Sequence, residues 1–211
     1  MCSVIIKILC GTLIIFSFSN TAHAQNSERP SPTAITFEGF AVQAAIGYQP
    51  YTINATNIKI SHANFKLPNQ NYTGNSTPYF AGFSYTTAIT DKATIGAQVE
   101  INPANQQYVL SLLPGYAFTP SIQAYFKLAW VSAPVTVDQQ SSQSKVSATG
   151  TGATAGLGIK QLWTQHWYGF VEANYVKMNT FKFDTTANNL QITGNADYSG
   201  YNMMIGIGYK F

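Results

Sequence analysis

The chain has few charged residues. Asp, Glu, Lys and Arg together make up 9% of its 211 residues, whereas a soluble domain carries about 25%. The charges nearly balance, with 11 Lys and Arg against 8 Asp and Glu, and neither sign is gathered into a run. This scarcity argues against an ordinary solvated surface, and the lack of a basic patch argues against a nucleic-acid partner.

Long apolar runs are also missing. After residue 25, no stretch approaches the roughly 18 consecutive apolar residues that a membrane-spanning helix requires. Aromatic residues are abundant in contrast, at 14% of the chain. A chain that is poor in charge, rich in aromatic residues and without a spanning helix has the profile expected of a membrane β-barrel.

The first 24 residues have the pattern of a secretory signal peptide. Lys7 precedes an apolar run over residues 8–18, and a polar stretch then ends in Ala22-His23-Ala24. A charged start, a short apolar middle and a small-x-small ending predict cleavage after Ala24. The alternative, a buried core helix, does not account for that ending.

Cysteine occurs only at Cys2 and Cys10, both within the predicted signal peptide. The mature chain is therefore expected to contain none. This excludes a disulfide, a thiolate nucleophile and a cysteine metal site. Cys10 does not follow a lipoprotein cleavage box, so we expect no lipid anchor.

The rest of the chain divides into segments in which apolar side chains alternate with small or polar ones. At the end of the chain the odd positions from Tyr201 to Phe211 are all apolar or aromatic, the period of a β-strand with one apolar face. Eight such segments follow residues 25–37, which we interpret as a periplasmic linker. They cover approximately residues 38–49, 78–89, 93–102, 107–118, 122–131, 148–160, 167–177 and 202–211.

Amphipathic strands in a bilayer must form a closed sheet, because lipid cannot satisfy the hydrogen bonds of an open edge. An even number of strands also fits a bacterial single-chain barrel. The sequence therefore predicts an all-β fold in which residues 38–211 form an eight-stranded antiparallel up-and-down transmembrane β-barrel.

Three of the four connections at one predicted rim are long, whereas the three at the other rim are short turns. The long ones cover about residues 50–77, 132–147 and 178–201, and they are rich in Asn, Gln, Ser, Thr and Tyr. In bacterial barrels the short turns face the periplasm and the long loops face outward. We expect the long connections to be solvated, mobile loops or a surface for partners, since Tyr and Asn make adaptable recognition contacts.

Charged residues well inside the predicted strands, away from the strand ends, all fall on the polar side of the alternation. They are Glu100, Lys127, Lys160, Glu172 and Lys210. The parity predicts that they point into the lumen, where they avoid the roughly 2 to 4 kcal/mol that a lysine costs on the lipid face. Side chains fill a barrel of this size, so we expect a plug in which these charges pair with one another and with Gln43, Gln98, Gln123 and Asn174. The alternative is a narrow gated conduit.

No arrangement of residues predicts catalysis, a cofactor or a metal. His62 and His166 lie in connections without a second histidine or an acidic cluster at ligand spacing. The spacing of His62, Ser141 and Asp138 does not support a catalytic triad. Residues 150–156 are rich in glycine but lack the spacing and the following helix of a phosphate loop.

These features together resemble the small bacterial outer-membrane β-barrel superfamily, which includes the transmembrane domain of outer-membrane protein A and the opacity-type surface proteins. At the end of the chain, Gly206, Tyr209 and Phe211 match the C-terminal recognition signal of these barrels. The resemblance implies recognition by the barrel-assembly machinery and insertion into the lipid bilayer of the outer membrane.

The resemblance leaves several functions open, because similar barrels serve different roles. The first expectation is a non-enzymatic surface protein that supports envelope integrity or that binds an extracellular ligand or host surface through its outer loops. The second is a narrow channel for small or hydrophobic solutes. The third is a lipid-modifying enzyme.

Overall fold

A computed structural model describes residues 36–60, 63–104, 106–138, 145–187 and 190–211. The predicted signal peptide, residues 25–35 of the predicted linker, His62 and Ser141 lie outside these ranges. None of the described residues forms a helix that is both long enough and apolar enough to cross a membrane.

The described residues form eleven β-strands, and all of their pairings are antiparallel. The strands are β1 (Gly39–Ile60), β2 (Ala63–Lys66), β3 (Gln70–Ser76), β4 (Tyr79–Ala88), β5 (Ala93–Asn102), β6 (Gln107–Thr119), β7 (Ile122–Asp138), β8 (Lys145–Leu162), β9 (Trp167–Met178), β10 (Phe181–Ala187) and β11 (Leu190–Lys210).

Eight of these strands form a closed ring in the order β1, β4, β5, β6, β7, β8, β9 and β11. The ring closes where β11 pairs with β1, in a register that places Val42 opposite Tyr209 and Ile46 opposite Ile205. The predicted eight-stranded up-and-down barrel is confirmed, and so is the pairing of its last strand with its first.

The register around the ring fixes the tilt of the strands. A path from Ala41 through successive cross-strand partners on the other seven strands returns to β1 at Tyr51, ten residues farther along. With eight strands about 4.8 Å apart and a rise of about 3.3 Å per residue, this offset corresponds to a tilt of about 40°. A ring this narrow leaves room for side chains and for little else.

Burial alternates along the ring strands in the sense opposite to that of a soluble protein. Polar side chains such as Gln98 and Asn174 are buried in the lumen, whereas Phe83, Leu110 and Ile205 are exposed on the outside. The outer surface carries a row of aromatic residues at each end of its apolar part. One row contains Tyr48, Tyr79, Tyr108, Trp130, Tyr175 and Tyr201, and the other contains Tyr116, Phe118, Trp163, Trp167 and Phe211. Such a surface is suited to a bilayer with two polar interfaces.

Most of the predicted long outer loops are strand instead. β1 continues to Ile60, β7 extends to Asp138, and β11 begins at Leu190. β3 and β10 extend the lines of β4 and β9 by pairing with the outer halves of β1 and β11. The loop prediction is wrong here because strands were recognised only by a row of apolar side chains. A strand that extends beyond the bilayer faces water and does not need such a row.

The outer rim of the barrel is uneven as a result. The sheet is tall along β3, β1, β11 and β10, and also along β7 and β8. Between β5 and β6, in contrast, residues 103–106 form the entire connection. The barrel therefore presents an extended sheet on one side and a low rim on the other.

Candidate functional site in the barrel lumen

Three charged side chains meet near the middle of the lumen. The Nζ atom of Lys127 lies 2.5 Å from Oε2 of Glu100 and 3.0 Å from Oε2 of Glu172. Exposure of these three residues is 1%, 1% and 4%, respectively. They come from β7, β5 and β9, and each lies on the inward parity of its strand, so tilted strands on different sides of the ring bring them together.

Uncharged groups complete the hydrogen bonding of the two carboxylates. Tyr125 donates its hydroxyl hydrogen to Glu172 Oε1 at 2.8 Å, and Asn174 donates to Oε2 of the same carboxylate at 3.2 Å. Gln43 donates to Glu100 Oε1 at 3.4 Å and accepts a hydrogen bond from Tyr168 at 3.1 Å. A buried charge is tolerated only when it is paired and hydrogen-bonded, and this network supplies both conditions.

Lys160 occupies the lumen on the periplasmic side of this network. Its Nζ lies 4.6 Å from the centre of the Tyr168 ring and 5.8 Å from that of Tyr125. Among the described residues, no carboxylate lies within ion-pair distance of it. The two aromatic faces stabilise the ammonium group by cation–π attraction.

Glycine makes room for both tyrosine rings. Gly158 is the cross-strand partner of Tyr125, and Gly208 is that of Tyr168. A Cβ atom at either glycine would overlap the neighbouring ring. The two tyrosines can therefore lie across the lumen because adjacent strands lack a side chain at those positions.

The mouth of the lumen that is predicted to face the periplasm is filled by Thr36 and Phe37, which precede β1. Phe37 is 4% exposed and packs in a cluster with Ala117, Ala88 and Leu162, of which Ala117 is completely buried. Thr36 donates a hydrogen bond from its hydroxyl to the carbonyl oxygen of Pro120 at 2.7 Å. The segment thus closes the mouth beneath Lys160.

Beyond the charged network the lumen contains an apolar cluster together with buried polar side chains such as Gln49, Asn102 and Gln107. Phe80, Val109, Val131, Val176 and Met178 are buried there in one cluster. Five buried side-chain polar atoms of the described residues have no hydrogen-bond partner, namely Ser84 Oγ, Gln98 Nε2, Ser111 Oγ, Asn174 Oδ1 and Asn202 Oδ1. Isolated buried polar atoms of this kind are commonly satisfied by internal water.

Of the five charged residues expected in the lumen, Glu100, Lys127 and Glu172 form one network and Lys160 lies next to it. Lys210 lies apart at the periplasmic rim, where its Nζ donates to the carbonyl oxygen of Thr36 at 2.8 Å. Of the expected amide partners, Gln123 binds Thr94 rather than a charged group.

Sequence reasoning missed Tyr125, Tyr168 and Phe37 as parts of the closure. Tyr125 lies on the polar parity of its strand, between Gln123 and Lys127, and opposite a glycine, so a signal was present. Phe37 carries no comparable signal, because it lies beyond the alternating segment and its burial depends on the shape of the barrel mouth.

The residues of the expected C-terminal signal lie at the seam between β11 and its neighbours. The ring of Phe170 lies so close to Gly206 that a Cβ atom at Gly206 would overlap it. Tyr209 packs edge-on against Trp167 and Phe211, with ring centres 5.2 and 5.4 Å away. The backbone nitrogen of Phe211 donates to the carbonyl oxygen of Phe40 at 2.9 Å.

Metal chemistry has no evident centre in the part of the chain that the structure describes. No three His, Cys, Asp or Glu side chains are grouped there to hold an ion. His166 stacks on Tyr209 and contacts the carbonyl oxygen of Lys210 at 2.9 Å.

Solved structures of similar architecture are outer-membrane proteins. The outer membrane protein OprG from Pseudomonas aeruginosa matches 82% of this chain over 96% of its own, with a TM-score of 0.59 and 18% identity. Neisserial surface protein A matches 82% of this chain and 98% of its own, with a TM-score of 0.43 and 17% identity. The outer membrane protease OmpT from Escherichia coli matches 82% of this chain and 97% of its own, with a TM-score of 0.48 and 7% identity.

No protein-family model matches the chain, and no curated protein matches its sequence. At 18% identity, the likeness to OprG concerns architecture alone. This likeness in architecture agrees with the ring of eight tilted strands and the apolar outer surface described above. The chain has the fold of the small bacterial outer-membrane β-barrel proteins.

Proposed function

We propose that the protein is a non-enzymatic surface protein of the outer membrane, in which a closed barrel anchors an extended outer sheet that binds an extracellular ligand or host surface. The observation that carries the proposal is the ion-paired network of Glu100, Lys127 and Glu172 across the lumen. A barrel closed in this way serves as an anchor rather than as a route for solutes.

The outer sheet supports the binding part of the proposal. β1, β3, β10 and β11 extend beyond the aromatic row, and the side chains of β3 are nearly all exposed. Tyr72 on β3 is a large aromatic residue that is half exposed. Tyrosine flanked by Asn, Gln and Thr is a composition that suits recognition surfaces.

Conductance in planar bilayers tests the closed lumen. We expect the purified, refolded protein to show no reproducible single-channel conductance. Heat-modifiable gel mobility of the same sample serves as the control for a folded barrel. Reproducible conductance from a heat-modifiable sample would contradict the anchor proposal and would favour a narrow channel.

Trimmed hairpins test the outer surface. Replacing residues 53–72 with Asn-Gly joins Thr52 to its register partner Thr73 through a two-residue turn. Replacing residues 184–193 in the same way joins Phe183 to Gly194. We expect both variants to keep heat-modifiable mobility, and bacteria that carry them to adhere less to host cells or matrix proteins. The control replaces residues 104–105 with Asn-Gly and should change neither the mobility nor the adherence.

If bacteria lacking the protein adhere as well as those carrying it, the binding part of the proposal fails. Detergent resistance of the same strains then distinguishes a role in envelope integrity. If a trimmed variant restores detergent resistance to bacteria that lack the protein, the barrel itself supports envelope integrity.

The channel for small or hydrophobic solutes is the second candidate. It is favoured by the buried polar atoms of Ser111, Asn174 and Asn202, which lack a protein partner. Against it stand the charged network and the packed Phe37, which close the lumen at two levels.

A further inference from the structure

A groove runs along β8 on the lipid-facing side of the barrel. Ala153 and Ala155 form its floor, with Leu128 on one side and Tyr175 and Lys177 on the other. Cross-strand pairing places Leu128, Ala155 and Tyr175 in one row across β7, β8 and β9. The groove has a volume of about 450 Å³, and Leu157, the next outward-facing residue of β8 after Ala155, is exposed.

Lys177 stands at the outer end of this groove. It lies in the same cross-strand row as Ala153 and Trp130, one step beyond the row of Tyr175. Its side chain is exposed on the outward parity of β9, whereas Glu100, Lys127, Lys160 and Glu172 all point inward. A cation next to the aromatic row therefore faces the lipid headgroups of the outer leaflet.

No protein group neutralises this cation. Among the described residues, no carboxylate lies within 4.0 Å of the Lys177 ammonium, since the ion pairs found there are those of Lys127. Its cross-strand partner on β11 is Ser199, whose hydroxyl adds a hydrogen-bonding group beside it. The outer end of the groove thus combines a positive charge with a hydroxyl, whereas its length is apolar.

We propose that this groove binds one phosphorylated, acylated glycolipid of the outer leaflet. An acyl chain lies on Ala153 and Ala155 between Leu128 and Tyr175, and a phosphate group of the lipid headgroup pairs with Lys177. An anion at this position satisfies the charge, and an acyl chain fills the space that the two alanines leave in an otherwise bulky surface. The proposal is independent of whether the lumen conducts.

A second alanine provides a matched control for the groove. Ala97 on β5 is also exposed on the lipid face, and it lies between Tyr85 and Leu112. Ala155 lies between Tyr175 and Leu128, the same pair of residue types. The two sites share these neighbours across the strands, whereas Ala97 lacks the adjacent alanine and the lysine that define the groove.

Lys182 provides a matched control for the charge. It is exposed, and it lies on β10, which follows β9 toward the outside. Its row on the sheet is beyond the groove, so its ammonium group does not contact an acyl chain lying there. A general attraction of lysine to the membrane surface would affect Lys177 and Lys182 alike.

Native mass spectrometry of the delipidated, refolded protein tests the proposal. The probe is purified lipid A, titrated with its phosphates present and again after they have been removed. We expect the unchanged protein to bind one phosphorylated lipid saturably. Lys177→Gln should bind it about fivefold more weakly, because one lysine near a lipid surface contributes roughly 1 kcal/mol. Ala155→Leu should weaken binding by a similar or larger factor.

The controls decide the outcome. Lys182→Gln and Ala97→Leu are expected to bind within twofold of the unchanged protein. Equal weakening by Lys177→Gln and Lys182→Gln would overturn the site in favour of general surface attraction. Equal binding of the lipid without phosphates, or unchanged binding by Ala155→Leu, would overturn it as well. Heat-modifiable mobility of every variant confirms that the barrel is folded.

Discussion

The ring of Tyr125 lies directly against Gly158, its cross-strand partner on β8. This arrangement lets the tyrosine hydroxyl reach Glu172 on the next strand. The closure of the lumen thus depends on a missing side chain as much as on the charged groups themselves.

We predict that Gly158→Ala weakens the barrel. The added methyl group displaces the Tyr125 ring and breaks its hydrogen bond to Glu172, at a cost of about 1–3 kcal/mol. Urea unfolding in lipid vesicles measures the free energy of unfolding. Gly150→Ala on the same strand is the control, because its methyl group would meet the flexible end of Met178; an equal loss in both variants would contradict the explanation.

Removing the cation of the central network is expected to be costly. Lys127→Met leaves Glu100 and Glu172 buried and facing each other, which should lower the free energy of unfolding by about 3–5 kcal/mol. The triple variant Lys127→Met, Glu100→Gln, Glu172→Gln should recover most of that loss, because no buried charge of the network remains. If the triple variant were less stable than Lys127→Met, charge pairing would not be the cause.

Phe37 is expected to control access from the periplasmic side. The sequence contains no cysteine after Cys10, so Ala117→Cys would introduce one thiol at a completely buried position. We predict slow labelling by a charged maleimide in this variant and at least tenfold faster labelling after Phe37→Ala is added. Phe118→Ala is the control, since this neighbouring aromatic faces outward; fast labelling with Phe37 intact would contradict the closed mouth.

The seam between β1 and β11 can be tested by crosslinking. Val42→Cys and Tyr209→Cys place two thiols at directly opposed positions, close enough for an oxidant to join them. We expect the oxidised double variant to show altered gel mobility after boiling, reversible by reductant. Val42→Cys with Ile207→Cys, offset by two residues, should crosslink far less, and the opposite order of yields would contradict the register.

The sequence predicts the lipid-facing part of the barrel well, for a physical reason. Residues 93–102 alternate strictly because lipid and lumen impose opposite requirements on their two faces, and β5 covers the same residues. Residues 50–60 carry no such row, since both faces of the outer part of β1 meet water or other protein, and their strand character was missed.

The lumen was predictable only in part. Parity alone indicates that Glu100, Lys127 and Glu172 point inward, but it does not give the height of each side chain along the barrel axis. Their meeting depends on the ten-residue offset around the ring, which the sequence of a single strand does not reveal. Lys210 shares the same parity and lies elsewhere, at the rim beside Thr36.

The pairing of β1 with β11 also has a consequence for biogenesis. The strand that opens the ring gains its second neighbour only when the strand that completes the ring arrives, so one edge of β1 stays without hydrogen-bonding partners until then. Exposed edges of this kind recruit other chains and promote aggregation. Docking of β11 on β1 therefore removes the last unpaired edge of the ring.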